Sequence, residues 1–162
     1  MATTISLSSE LINSLNLSPL QTLIENLMQE QTLVKHEQQL RFEISWSADD
    51  NDPRELSEIP EIRLWFIRAD TLYPWLPFFL DWQAKELTRY VAMLVPHQFH
   101  PIDGIQFNPE ALEIFLMHKI FTLTDWLHQQ GLPSKSRLMS MSQLLGYELD
   151  PAFFDWVEEN RV

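Results

Sequence analysis

Two histidines three residues apart, His97-Gln-Phe-His100, with Asp103 close behind, are the side chains whose types best suit metal ligation or acid–base chemistry. A metal site needs three or four ligands converging at bonding distance, and this pair supplies at most half of that. The pair follows Pro96 in a stretch that reads as a loop, so helical spacing does not converge the two rings, and no histidine–glutamate zincin pattern is present. Asp49-Asp50-Asn51-Asp52 begins like a calcium loop but lacks the glycine at its sixth position and the spaced bidentate glutamate. With glycine only at Gly104, Gly131 and Gly146, no loop can bring backbone amides around a phosphate, and no serine sits between paired glycines. No carboxylate pair stands out for glycoside chemistry. The absence of cysteine excludes thiol catalysis, disulfides, thiolate zinc and iron–sulfur clusters held by the chain's own cysteines. A small hydrolase or metal-dependent enzyme using His97, His100 and Asp103 is therefore the weaker functional reading.

Residue types that anchor protein contacts are better represented. Arg54, Arg63 and Arg68 are interleaved with Glu55, Glu58 and Glu61 and with Trp65, Trp75 and Trp82. Arg and Trp combine contact area with directional hydrogen bonds, which is why they dominate binding surfaces. Asp81, His97 and Gln98 complete the set expected to touch a partner. The competing reading places the aromatics in the core, and it is preferred for Phe66, Phe78, Phe79 and Leu80. Trp75, flanked by Pro74 and Pro77, is the tryptophan most expected to remain partly exposed. Residues 47–61 carry six carboxylates around one cation, Arg54, and read as a solvated acidic loop or a docking surface for a basic partner. Charge reversal at Glu55 and Glu58 is expected to weaken such docking.

The elements that must position these residues follow from periodicity. The spacing predicts a short helix over 9–16 and a second one after Ser18-Pro19, with Leu20, Leu23, Ile24, Leu27 and Met28 on one stripe. Strict alternation over 40–46 predicts a half-buried strand, and the branched and aromatic run 62–68 predicts a second strand paired with it. A single helical turn is expected after Asp52-Pro53. Residues 73–82 read as a proline-punctuated turn leading into a helix, and 87–95 as a helix stopped by Pro96, with a strand as the alternative for 89–95. Asn108-Pro109-Glu110 opens a helix that runs to about 130, Ser134 caps another that ends at Gly146, and Asp150-Pro151 opens the last. The expectation is an α+β fold: one mostly helical domain over 1–162, with an N-terminal helical segment at 8–30, a small antiparallel β element at about 40–70 and a helical remainder.

Composition bounds the function. The 162 residues are 45% hydrophobic and 12% aromatic, enough for a chain of this size to bury roughly 70% of its unfolded surface without a metal or disulfide. Eleven Lys and Arg against 23 Asp and Glu leave a net charge of −12, which argues against duplex nucleic acid and anionic membranes as partners. No basic leader precedes Lys35, and the longest apolar run, 72–80, is broken by two prolines, so a cytoplasmic protein without stable membrane insertion is expected. No cofactor is expected.

Several long strings resemble one family. Pro53-Arg-Glu-Leu-Ser-Glu-Ile-Pro-Glu-Ile-Arg-Leu-Trp-Phe-Ile-Arg68, Tyr73-Pro-Trp-Leu-Pro-Phe-Phe-Leu-Asp-Trp82, Val95-Pro-His-Gln-Phe99, Gly104-Ile-Gln-Phe-Asn-Pro-Glu-Ala-Leu-Glu-Ile-Phe115 and Leu145-Gly-Tyr-Glu-Leu-Asp150 are similar to the chlororespiratory reduction six family of cyanobacteria and plant chloroplasts. The resemblance spans about residues 40–157. It implies a chaperone-like assembly factor for the photosynthetic type-I NAD(P)H dehydrogenase complex, acting in maturation of its I subunit, a peripheral-arm protein with two four-iron clusters. Plant members work in the chloroplast stroma behind transit peptides, and a chain without one fits a cyanobacterial cytoplasm. The resemblance supplies no catalytic residues. A stable subunit of the complex, rather than a transient factor, is the third reading.

Overall fold

Thr3–Ser8 and Leu40–Ser45 form strands β1 and β2, joined by a crossover that contains helices α1 (Ser9–Asn13) and α2 (Ser18–Gln29). A computed structural model describes residues 2–95, 97–100, 102 and 104–161, with backbone alone at 97–100, 104–107 and 109. The chain divides into two compact units, residues 1–94 and 95–162.

In the first unit β1 and β2 run parallel, with Thr3 opposite Leu40 and Ser8 opposite Ser45. Parallel strands need a crossover of a dozen or more residues, and residues 9–39 provide it. Ile5 and Leu7 of β1 and Leu40 and Phe42 of β2 are buried, whereas Thr4, Ser6, Arg41 and Glu43 are exposed. One face therefore enters the core. The expected antiparallel element at 40–70 is overturned: residues 62–68 lie in helix α3 (Pro60–Leu72), and the partner of β2 lies upstream. Pro60 in the first turn, followed by Glu61, starts α3, and Ile62, Trp65, Phe66 and Ala69 bury one stripe at helical spacing. Burial of that stripe outweighs the strand preference of its Ile, Trp and Phe. A short antiparallel ladder lies elsewhere, between β3 (His97–His100) and β4 (Gly104–Phe107).

A 3₁₀ turn at Leu56–Glu58 occupies the place where one helical turn was expected. Helix α4 (Leu76–Phe79) follows α3, and α5 (Glu86–Leu94) settles 89–94 as helical. The core between them is aromatic. Trp65 lies edge-on to Phe42 and Phe66 at 5.5 and 5.3 Å, and Phe66 meets Tyr90 at 5.0 Å. Burial, followed by the nearby charge of Asp70, pushes the Tyr90 phenol well above its usual pKa, so it stays protonated.

The second unit holds β3, β4 and helices α6 (Pro109–Gln129), α7 (Lys135–Leu144) and α8 (Pro151–Glu159). Asn108 Oδ1 accepts from the Glu110 and Ala111 amides, and Asp150 accepts from Ala152 at 2.8 Å, so both expected helix starts carry a side-chain cap. Ser134 stands at the start of α7 without capping it; its hydroxyl donates to Glu158 at 2.7 Å. Gly131 and Gly146 end their helices at positive φ, +70° and +89°, a region open to glycine. Leu116, Ile120, Leu123 and Leu127 bury one stripe of α6, and with them Lys119, fully buried with its ammonium 5.6 Å from the Phe115 ring centre. Among the described residues no helix is long and apolar enough to cross a membrane.

Asp81 joins the strand to the turn before α5. Its carboxylate accepts from the Ala84 amide at 2.9 Å and from Arg41 Nε at 2.8 Å, and these donors, the amide foremost, hold its pKa below the usual carboxylate value. A depressed folded pKa stabilises the fold above pH 3.8, the ordinary value, and that contribution fades as pH falls through the folded value. Asp81→Ala should therefore cost about 1–3 kcal/mol at pH 7 in urea unfolding, and the gap to the parent should narrow below about pH 4. Trp65→Ala should cost about 3–5 kcal/mol at either pH.

Candidate functional site

The sequence-selected contact residues divide into two groups. Trp65 is wholly buried, and its indole N–H donates to the Asn16 carbonyl at 3.2 Å. Trp82 is buried, with its N–H on the Pro77 carbonyl at 3.1 Å. Asp81 is buried in the network with Arg41 and Ala84 described above. These three hold the core together. Arg54, Glu55 and Arg68 are exposed, and Glu58, Arg63 and Trp75 are half-buried. His97 and Gln98, read as loop, lie in β3 opposite Phe107 and Gln106. The side chains of His97 and His100, and the whole of Asp103, lie outside the described residues. Among the described residues no cluster of three or more His, Asp or Glu is placed to hold a metal.

The exposed group gathers around α3. At its N-terminal end Arg54 makes a forked pair with Asp52, with contacts of 2.6–3.0 Å. The hydrogen bonds from Arg54 lower the Asp52 pKa, and Asp52 in turn raises that of Arg54. The one cation of the acidic loop is thus neutralised locally, which leaves Asp49, Asp50, Glu55, Glu58 and Glu61 to set the field. Glu55 and Glu58 also cap each other's backbone in the 3₁₀ turn, with Glu58 accepting from the Glu55 amide at 2.6 Å. Their negative charge is therefore held in place by the turn itself.

Along α3 Leu64 and Ile67 lie opposite the buried stripe, and Leu72 is exposed at the C-terminal end of the helix, on its flank. Leu64, Ile67 and Leu72 are 52%, 44% and 55% exposed, beside Arg68 and Thr71. Reading 62–68 as a strand hid this face; Leu64, Ile67 and Thr71, spaced three and four apart, were the available signal. Beyond the C-terminal end of α3 the Tyr73 and Trp75 rings lie 5.6 Å apart, and Trp75 rests edge-on against Phe79 at 5.3 Å. Burial and the charge of Glu25 raise the Tyr73 pKa. An acidic turn, exposed apolar side chains and a half-exposed aromatic pair thus follow one another along one segment of chain.

Exposed large apolar side chains beside fixed charge are features that protein–protein contact surfaces share. The chain belongs to the chlororespiratory reduction 6 family, whose model matches residues 7–156. The family name ties it to chlororespiratory reduction and to assembly of the NAD(P)H dehydrogenase complex. No solved structure matches the chain.

Core and surface tryptophans should separate on truncation. Trp75→Ala should cost about 1–3 kcal/mol, the worth of its ring contacts with Tyr73 and Phe79, against about 3–5 kcal/mol at Trp65. Thermal unfolding followed by circular dichroism checks the contrast, and equal losses would place Trp75 in the core.

Proposed function

We propose that the protein is a soluble assembly factor that transiently binds the iron–sulfur I subunit of the photosynthetic NAD(P)H dehydrogenase complex during biogenesis. The exposed Leu64 and Ile67 on the outer face of α3, with exposed Leu72 at its end, beside the acidic turn are the observation that carries this reading, and family membership supplies its setting. These apolar side chains cover a face of the immature subunit that is destined for burial in the finished complex. The surrounding carboxylates draw in a basic client and orient it, an attraction that salt screens. A chain without cysteine offers no thiolate for a cluster, so its help with cluster insertion is indirect: it keeps the client soluble and its docking face shielded. Arg54, Arg63, Arg68 and Trp75 border this surface.

Tagged protein should capture purified I subunit at low salt and release it at high salt. Because Glu55 and Glu58 cap their own turn, the informative change is Glu55→Gln with Glu58→Gln, which removes charge and keeps the acceptor oxygens. That pair, and separately Leu64→Ser with Ile67→Ser, should weaken capture by about tenfold while stability stays within about 1 kcal/mol. If no dehydrogenase subunit is captured, the assembly reading falls; if capture survives both pairs of changes, the docking face is not α3.

A further inference from the structure

The outer edge of β1 is open. Thr3 N–H donates to the Gln39 carbonyl at 2.8 Å, so in the parallel register Thr3, Ile5 and Leu7 turn their backbone groups toward β2. Alternation then turns the N–H and C=O groups of Thr4 and Ser6 outward. No hydrogen bond from the described residues reaches them. The far edge of β2 differs: Leu40 accepts from Asp81 N–H at 2.9 Å, and Phe42 N–H donates to Glu86 Oε2 at 3.4 Å. Only one edge of the pair is sealed by its own chain.

β1 also lacks the usual devices that blunt an edge. Thr-Thr-Ile-Ser-Leu-Ser contains no charge, no proline and no glycine, and Thr4, Ser6 and Ser8 are exposed. A two-stranded sheet is the smallest such unit and gains cooperativity from a third strand.

The surrounding charge identifies the occupant. No Lys or Arg precedes Lys35, so β1, α1 and α2 carry only the carboxylates Glu10 and Glu25. On the exposed face of β2, Glu43 accepts from the Ser6 hydroxyl at 3.4 Å, while Arg41 is neutralised by Asp81 at 2.7 Å. A second copy on this edge would bring carboxylates toward carboxylates, whereas a strand bearing Lys or Arg meets its complement.

We propose that β1 accepts an extended, Lys- or Arg-bearing segment of the client as a third strand, held by the outward backbone groups of Thr4 and Ser6. The proposal rests on the reading of the protein as a binder of the I subunit. Main-chain bonds supply affinity in such strand addition, and alternate side chains supply selectivity.

Ser6→Pro removes an outward N–H and leaves the β1–β2 ladder intact, because a proline is tolerated where its nitrogen faces away from the partner strand. Ser6→Ala removes the hydroxyl and keeps the N–H. Capture of purified I subunit should fall about tenfold or more with Ser6→Pro and stay unchanged with Ser6→Ala. In the unmutated protein the Thr4 and Ser6 amides should exchange at least about tenfold more slowly with the client bound, a readout independent of whether Ser6→Pro folds. Capture by the unmutated protein that survives in a folded Ser6→Pro variant, or client binding without added amide protection, overturns strand addition alone. Equal loss with Ser6→Ala makes the side chain the contact and overturns it too. A dimer of the protein alone that Ser6→Pro dissolves assigns the edge to a second copy instead. No capture by the unmutated protein overturns the client reading and this occupant together.

Discussion

The first unit depends on how strand β2 satisfies its backbone. Leu40 and Phe42 are buried, and a buried N–H or C=O left without a partner costs about as much as a lost hydrogen bond. β1 takes one edge of β2. The other is taken by the Asp81 amide, from the turn that leads into α5, and by the carboxylate of Glu86, the first residue of that helix. That requirement keeps two carboxylates nearly buried, at 7% exposure each, and each has cationic company: Arg41 at 2.7 Å for Asp81 and Arg89 at 3.1 Å for Glu86. The aromatic core of Phe42, Trp65, Phe66 and Tyr90 can close only because the strand bearing Phe42 is tied on both sides.

Helix α3 couples that core to the surface. Trp65 and Phe66 fasten its inner stripe, which fixes the rotation of the helix and so presents Leu64, Ile67 and Leu72 outward. A rigid inner stripe makes the outer face preorganised, and less ordering entropy is lost when a partner covers it. The capped turn at Leu56–Glu58 does the same for charge, because Glu55 and Glu58 hold each other where they face solvent. The packing that locks the fold thus also fixes which residues α3 and the turn before it expose.

Much of the architecture was legible in the residues. Asn108-Pro109 and Asp150-Pro151 announce two helices because capping oxygens and first-turn prolines act within a few residues of chain, as do Gly131 and Gly146 at the helix ends; Ser18-Pro19 announces a third through its proline alone, because Leu17 takes the N-cap position and no side chain caps that end. Strict alternation likewise marked residues 40–45 as a strand. β1 went unread, although Thr-Ile-Ser-Leu-Ser alternates equally well, because so short a run gains its meaning from a partner strand. The side chains expected at the surface were legible only in part: an indole N–H served by the Asn16 carbonyl, 49 positions away in the chain, leaves no local trace at Trp65.

By itself, then, the sequence determined what is local or additive: helix ends, one strand, the acidic balance, the lack of any thiolate ligand, and the strings that resemble its family. Tertiary structure decided what depends on distant partners. It made 60–72 a helix despite its branched and aromatic residues, set β2 parallel to a strand upstream, and sorted Trp65 and Trp82 inward while leaving Trp75 half exposed. The physical reason is range. Caps and turns are satisfied by neighbours in sequence, whereas burial and strand pairing are satisfied by whichever segment the whole chain brings alongside.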